Sequence, residues 1–137
     1  MFYNLQQTIY EVLAHDILLQ ELNVGIFDEV PENEPFPFIV LGDTITQPFD
    51  IFEQTDHEAT FLLHIFDQDF GMKYLETIMD QIDVLFDKQT LPLAEPYHCV
   101  SCRQESAQVM RESDGLTRHG TMRYKIIYQK NNQYDIN

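Results

Sequence analysis

Apolar residues recur along the chain at two spacings, and the spacing changes mark its elements. In residues 4–14, Leu5, Ile9, Val12 and Leu13 fall on one helical face, with Asn4 placed to cap the start. Asp16 can cap a short continuation, "ILLQEL", which stops near Asn23 and Gly25. "GIFDEV" is short and extended, and three prolines in "PENEPFP" then exclude regular structure. "FIVLGDTIT" after Pro37 is β-branched and apolar, a strand. "QPFDIFEQTD" is acidic and reads as a long hairpin loop or protruding arm carrying Phe49 and Phe52. In the next strand, residues 57–67, period two puts Ala59, Phe61, Leu63 and Ile65 on one face. Leu62, His64 and Phe66 take the other, so cover on both sides is expected.

"FGMKYLETIMDQIDVLFDKQ" is the clearest helix, with Leu75, Ile78, Met79, Ile82, Leu85 and Phe86 at steps of three and four. Glu76, Asp80, Asp83 and Asp87 lie mainly on the opposite flank. "YHCVSCRQESAQVM" reads as a strand and "ESDG" as a turn. In the final strand, "TRHGTMRYKIIYQ", Met122, Tyr124, Ile126 and Tyr128 face one way. Thr121, Arg123, Lys125 and Ile127 face the other, and Arg118 and His119 stand at its start. Residues 130–137 form a polar tail expected to fray. The order is α-β-β-α-β-β: an α+β domain spanning 1–137, with two helices on a mostly antiparallel sheet of about four strands.

Charge narrows the function. The chain of 137 residues has 23 acids, 8 bases and a formal charge of −15. The first 72 residues hold 14 acids and no Lys or Arg, whereas residues 101–137 hold six bases and four acids. A diffuse acidic surface argues against gripping DNA, which needs clustered cations. An acidic region and a modestly basic last strand instead suit a contact between unlike faces of neighbouring subunits. No apolar run is long enough for a bilayer span and the N-terminus does not read as a secretory signal, so a soluble protein assembled in a cytosol is expected, without membrane contact.

Catalytic signals are weak. Cys99-Val-Ser-Cys102 has C-x-x-C spacing, but zinc needs four ligands and there is no second pair. A regular strand also turns residues 99 and 102 to opposite faces. His98 and His119 could complete a metal site only if the two last strands bring them together. The other histidines, 15, 57 and 64, are scattered, with no short ligand motif. Asp80/Asp83/Asp87 lie on the outer flank of the helix and are expected to be solvated, not held in a desolvated pocket for acid–base work, and Asp67-Gln-Asp69 lacks the later Glu of an EF-hand loop. No phosphate-cradling glycine motif occurs. These readings give no catalytic, cofactor or metal residues.

The order "VPENEPFPFIVLGD", then "HEATFLLHIFDQDFG" with a helix after Gly71, then Glu105-Ser106 and "DGLTRHGTMRYKIIY", resembles the tail-completion proteins of long-tailed phages. These are also called tail terminators or head–tail joining proteins, with relatives in gene transfer agents. The resemblance spans nearly the whole chain. Its most specific part is the acidic-Gly turn followed by Thr-Arg-His-Gly and an alternating strand. Where the family often has Pro-Tyr, this chain has Pro37-Phe38. The resemblance implies a noncatalytic virion protein, built in the host cytoplasm without a cofactor. It would form a homohexameric ring on the last ring of the tail tube, stop tube polymerisation and dock the head connector, with DNA only passing through the lumen. Phe49, Phe52, Arg118, His119, Arg123 and Lys125 are then candidate contacts with a neighbouring subunit or partner. Alternatives are an adjacent neck protein, a small metal-binding enzyme using His98, Cys99, Cys102 and His119, and an acidic DNA mimic.

Overall fold

In a computed structural model, which describes residues 1–51, 54–69 and 71–131, the helices are α1 (Phe2–Ala14), α2 (Ile17–Glu21) and α3 (Lys73–Phe86). The strands are β1 (Gly25–Phe27), β2 (Phe38–Ile51), β3 (Gln54–Asp67), β4 (Tyr97–Arg111) and β5 (Arg118–Lys130). They form one sheet in the order β1-β2-β3-β5-β4. The α+β class holds. There are five strands rather than four, because "GIF" pairs in parallel with Phe38–Val40, and α2 is a third helix. All other pairings are antiparallel. No described helix is long and apolar enough to cross a membrane.

The helices cover one sheet face. Leu5, Ile9 and Leu13 of α1 and Leu75, Ile78, Ile82 and Phe86 of α3 meet Ile39, Phe61, Leu63, Ile65, Met122, Tyr124 and Ile126 in one buried cluster. Each such aliphatic or aromatic side chain contributes roughly 1.5–3 kcal/mol on leaving water. Phe61, Phe86 and Tyr124 pack ring to ring, with centroids 5.5–5.6 Å apart. Both periodicities read from the sequence therefore mark the core correctly, in α3 and in β3 and β5.

Several local expectations change. Asp16 does cap α2, accepting from the Leu19 amide at 3.0 Å. Asn4 caps nothing, because α1 begins two residues earlier, at Phe2. Its amide instead closes a pair of hydrogen bonds with the backbone of Ala94, at 2.8 and 3.1 Å, and ties α1 to the segment before β4. The expected loop at 47–56 is mostly strand: β2 and β3 stay paired rung by rung to Ile51 and Gln54. Pro48 fits because it lies on the outer edge of the sheet, past the three residues that β1 covers.

The second face of β3 is not covered by a helix. Among the described residues the helices lie on the other side, yet Leu62, His64 and Phe66 are half-buried, so this face is covered in part. The face of α3 that carries acids is not uniformly solvated either. Asp83 accepts hydrogen bonds from Gln104 at 2.7 Å and from Tyr124 at 2.9 Å. Asp87 accepts from the Gln104 amide at 2.8 Å. These acids form the seam between α3 and β4, and Glu76 and Asp80 alone of the set stay exposed.

Candidate functional site

The open sheet face carries the chemistry the sequence singled out. β5 places Arg123 and Lys125 there by its period of two, since Met122, Tyr124 and Ile126 must face the core. Arg103 of β4 stands opposite Lys125 in the ladder. Lys125 lies between Glu58 and Glu105, 3.4 Å from a carboxylate oxygen of each. Its bond to Glu105 first and Glu58 next hold its ammonium pKa above the ordinary value. Arg103 and Arg123 form no ion pair among the described residues.

Toward the β4–β5 turn the same face holds an imidazole chain. His64 Nδ1 and His119 Nε2 share a hydrogen bond at 2.8 Å, and His119 Nδ1 bonds Glu112 at 2.7 Å. Phe66 stacks on His119 with centroids 4.3 Å apart. Gly42 on β2 gives His64 its room, since a Cβ there would stand 2.8 Å from His64 Nε2. Burial first, and His119 next, push the His64 pKa down, against a smaller opposing pull from Asp43. Two adjacent imidazoles cannot both carry a proton cheaply. The chain therefore fastens the turn at 112–117 to β3. Asp114 shapes that turn by accepting from the Leu116 and Thr117 amides, both at 2.8 Å, and Gly115 supplies the positive φ of +71°.

His119 thus has partners that the sequence did not disclose. His64 lies 55 positions away, and only the β3–β5 register, with His64 opposite Thr121 and Phe66 opposite His119, brings the rings together. Arg118, at the start of β5, pairs across the ladder with Asp67 and donates to the Met72 sulfur at 3.1 Å. Asp67 is buried at this position. It is 3% exposed, its Oδ2 has no hydrogen-bond partner, and burial raises its pKa.

The four residues of the metal alternative do not converge. His98 pairs with Gln129 and His119 with Met110, ten residues apart along β5, or about 33 Å at the rise of a strand. No cluster of three or more metal-ligating side chains occurs among the described residues. The expected opposition of Cys99 and Cys102 is also wrong. The register shifts between Cys99 and Ser101, so a bulge inserts one residue and both thiols turn inward, opposite Tyr128 and Ile126. Both are free and buried, and burial pushes Cys102 up to about 12, so neither is a ready nucleophile.

Of the two aromatic candidates, Phe49 has its backbone in β2, paired with Asp56, while its side chain and the whole of Phe52 lie outside the described residues.

Comparison with known proteins places this geometry in a family. Residues 7–129 match the family described as "Tail completion protein gp17". A relative of the same description, from Bacillus phage SPP1, is 23% identical over 134 residues, which is 93% of each chain. Among solved structures, a chain in "Virion of native gene transfer agent (GTA) particle" superposes with a TM-score of 0.79 at 16% identity, over 91% of this chain and 94% of that one. "Structure of bacteriophage SPP1 gp17 protein" gives 0.59 at 21% identity, over 96% and 91%. These two likenesses concern the fold, and the match over residues 7–129 concerns descent. On that match, the chain belongs to the tail completion protein gp17 family.

Proposed function

We propose that this protein is a noncatalytic structural component of a virion tail, acting at the head–tail junction. The family match across residues 7–129 carries this reading. In it, copies of the chain form a hexameric ring on the last ring of the tail tube, stop tube growth and present a docking surface to the head connector. A ring needs heterologous contacts, in which one face meets a different face of the next copy. The domain has two unlike faces, one closed by helices and one open. Arg123 on the open side has charge to offer a neighbour, more than Lys125, which Glu58 and Glu105 already hold; Arg118, on the helix side opposite Asp67, is a second candidate cation. His119 supports the turn beside them. Phe49, whose backbone is in β2, and Phe52 are assigned to contact with the tube or the adjoining copy. The cation-free first 72 residues would supply an acidic lumen past which DNA slides without sticking.

Electron microscopy of particles made without this protein tests the reading. Overlong or unjoined tails are expected. Tails of normal length beside separate heads would assign the chain to the adjacent neck instead.

A further inference from the structure

The sheet ends at β4, and that edge is protected over only part of its length. The backbone of Lys88 donates to the Cys102 carbonyl at 2.8 Å, and Asp87 takes the Gln104 amide. These contacts cover the edge as far as Gln104. Residues 105–111 of β4, "ESAQVMR", contain no proline or glycine, and all are exposed. An edge of this kind, without proline and about 23 Å long, is a template for another strand.

A groove of ≈ 590 Å³ runs beside it on the helix face. The second bulge of β4, between Gln104 and Ser106, resets the strand so that Ala107 and Val109 face the helix side, opposite Met122 and Gly120. Gly120 lets Met79 of α3 lie against the sheet, since a Cβ there would come 2.7 Å from the Met79 sulfur. Met79, Met122, Ala107 and Val109 make an apolar floor, and Glu76 and Asp80 of α3 form an acidic rim with no ion pair among the described residues. A strand added to the edge would send every second side chain into this groove, the arrangement by which β-augmentation gains both affinity and selectivity.

We propose that the β4 edge and the α3 groove together bind an extended segment of another virion protein whose groove-facing side chains, every second residue, include both apolar and basic ones. The apolar residues fill the floor and the cations meet Glu76 and Asp80. The occupant is not the β2–β3 hairpin of a second copy: residues 43–58 hold five acids and no Lys or Arg, and would set acid against acid. That the partner is a virion protein rests on the function proposed above; the site itself does not.

The test titrates the full-length, isotope-labelled protein with four blocked nonapeptides while amide shifts are followed. With threonine at every even position of all four, one carries lysine and valine in turn at its odd positions, one glutamate and valine, and one lysine and serine. The fourth is the lysine–valine peptide N-methylated at alternate residues, which cannot complete a ladder. The lysine–valine peptide is expected to bind, to shift the amides of residues 106–111, and to bind at least tenfold more tightly than the other three. The double substitution Glu76→Lys and Asp80→Lys, at exposed helix positions, should weaken it tenfold or more and leave the spectrum otherwise folded. Absence of binding, equal binding of the lysine–serine or N-methylated peptide, shifts centred elsewhere, or indifference to the charge reversal would each overturn the proposal. None of these would bear on tail length or joining, so the two readings fail separately.

Discussion

Tyr124 has no exposed surface, and its phenol donates to Asp83 at 2.9 Å beneath α3. Burial pushes its pKa up, so it stays a donor across the working pH range. Tyr124→Phe keeps the ring packing against Phe61 and Phe86 but leaves Asp83 with Gln104 alone. A loss of about 1–2 kcal/mol is expected, read as a lower urea midpoint at unchanged slope. His64 gives a pH signature. Its folded pKa lies below the ordinary 6.5, so the unfolded chain binds its proton more tightly. The contribution of His64 is complete above pH 6.5 and is lost as pH falls below that value. Asp67 has the opposite sign, since its raised pKa favours the folded state on acidification. The His64→Phe variant isolates the histidine: its melting temperature should fall less than that of the wild type between pH 7.5 and 5.5. Equal falls would show that the His64–His119 contact is not titrating.

Among the elements, α3, β3 and β5 were legible in the sequence because each buries one face against one layer, and periodicity reports that directly. β4 is legible as a strand but its facing is not, because two single-residue bulges reverse its alternation at Val100 and Glu105 without any mark in composition. Period two therefore placed Cys99 and Cys102 on opposite faces. The outer part of the β2–β3 ladder, residues 47–56, reads as a loop because Pro48 and the surrounding acids disfavour an interior strand, but they are tolerated on an edge. The imidazole chain joins His64 and His119 across the β3–β5 register, which no local pattern specifies. Its dependence on β2 can be measured. Gly42→Ala would drive a methyl group toward His64 and the Leu62 Cβ, the latter 3.1 Å away. A cost of about 1–3 kcal/mol is expected, with changed imidazole nitrogen shifts at both His64 and His119. Asn4→Ala removes both links from α1 to Ala94. It should cost about 1 kcal/mol and speed amide exchange at residues 93–95.

For the whole molecule, fold class and family could be read from the sequence, while the surfaces that would serve assembly could not. Composition reports how many cations exist. It does not report that Lys125 is neutralised within its own chain, or that Arg103 and Arg123 form no such pair among the described residues. The hairpin provides the test at this scale. Deleting residues 47–55 leaves Asp56, His57 and Glu58 as a three-residue connection across the Thr46–Ala59 rung. The circular dichroism and melting transition should persist, while particles carrying the deletion should fail to join tails to heads. Joined particles would remove Phe49 and Phe52 from the interface.

The central ladder also sets an order of events for the newly made chain. β2 with β3, and β4 with β5, close on short turns and can zip locally within microseconds. The seam between them, β3 with β5, joins residues 51 to 73 positions apart, from Asp67–Arg118 to Asp56–Gln129. That seam is expected to close last and to limit the rate, since the entropy of a long loop must be met before its contacts form. Until it closes, the chain is two separate hairpins, each showing an unpaired inner edge. Where many copies are made at once, that interval is when one chain can exchange hairpins with another.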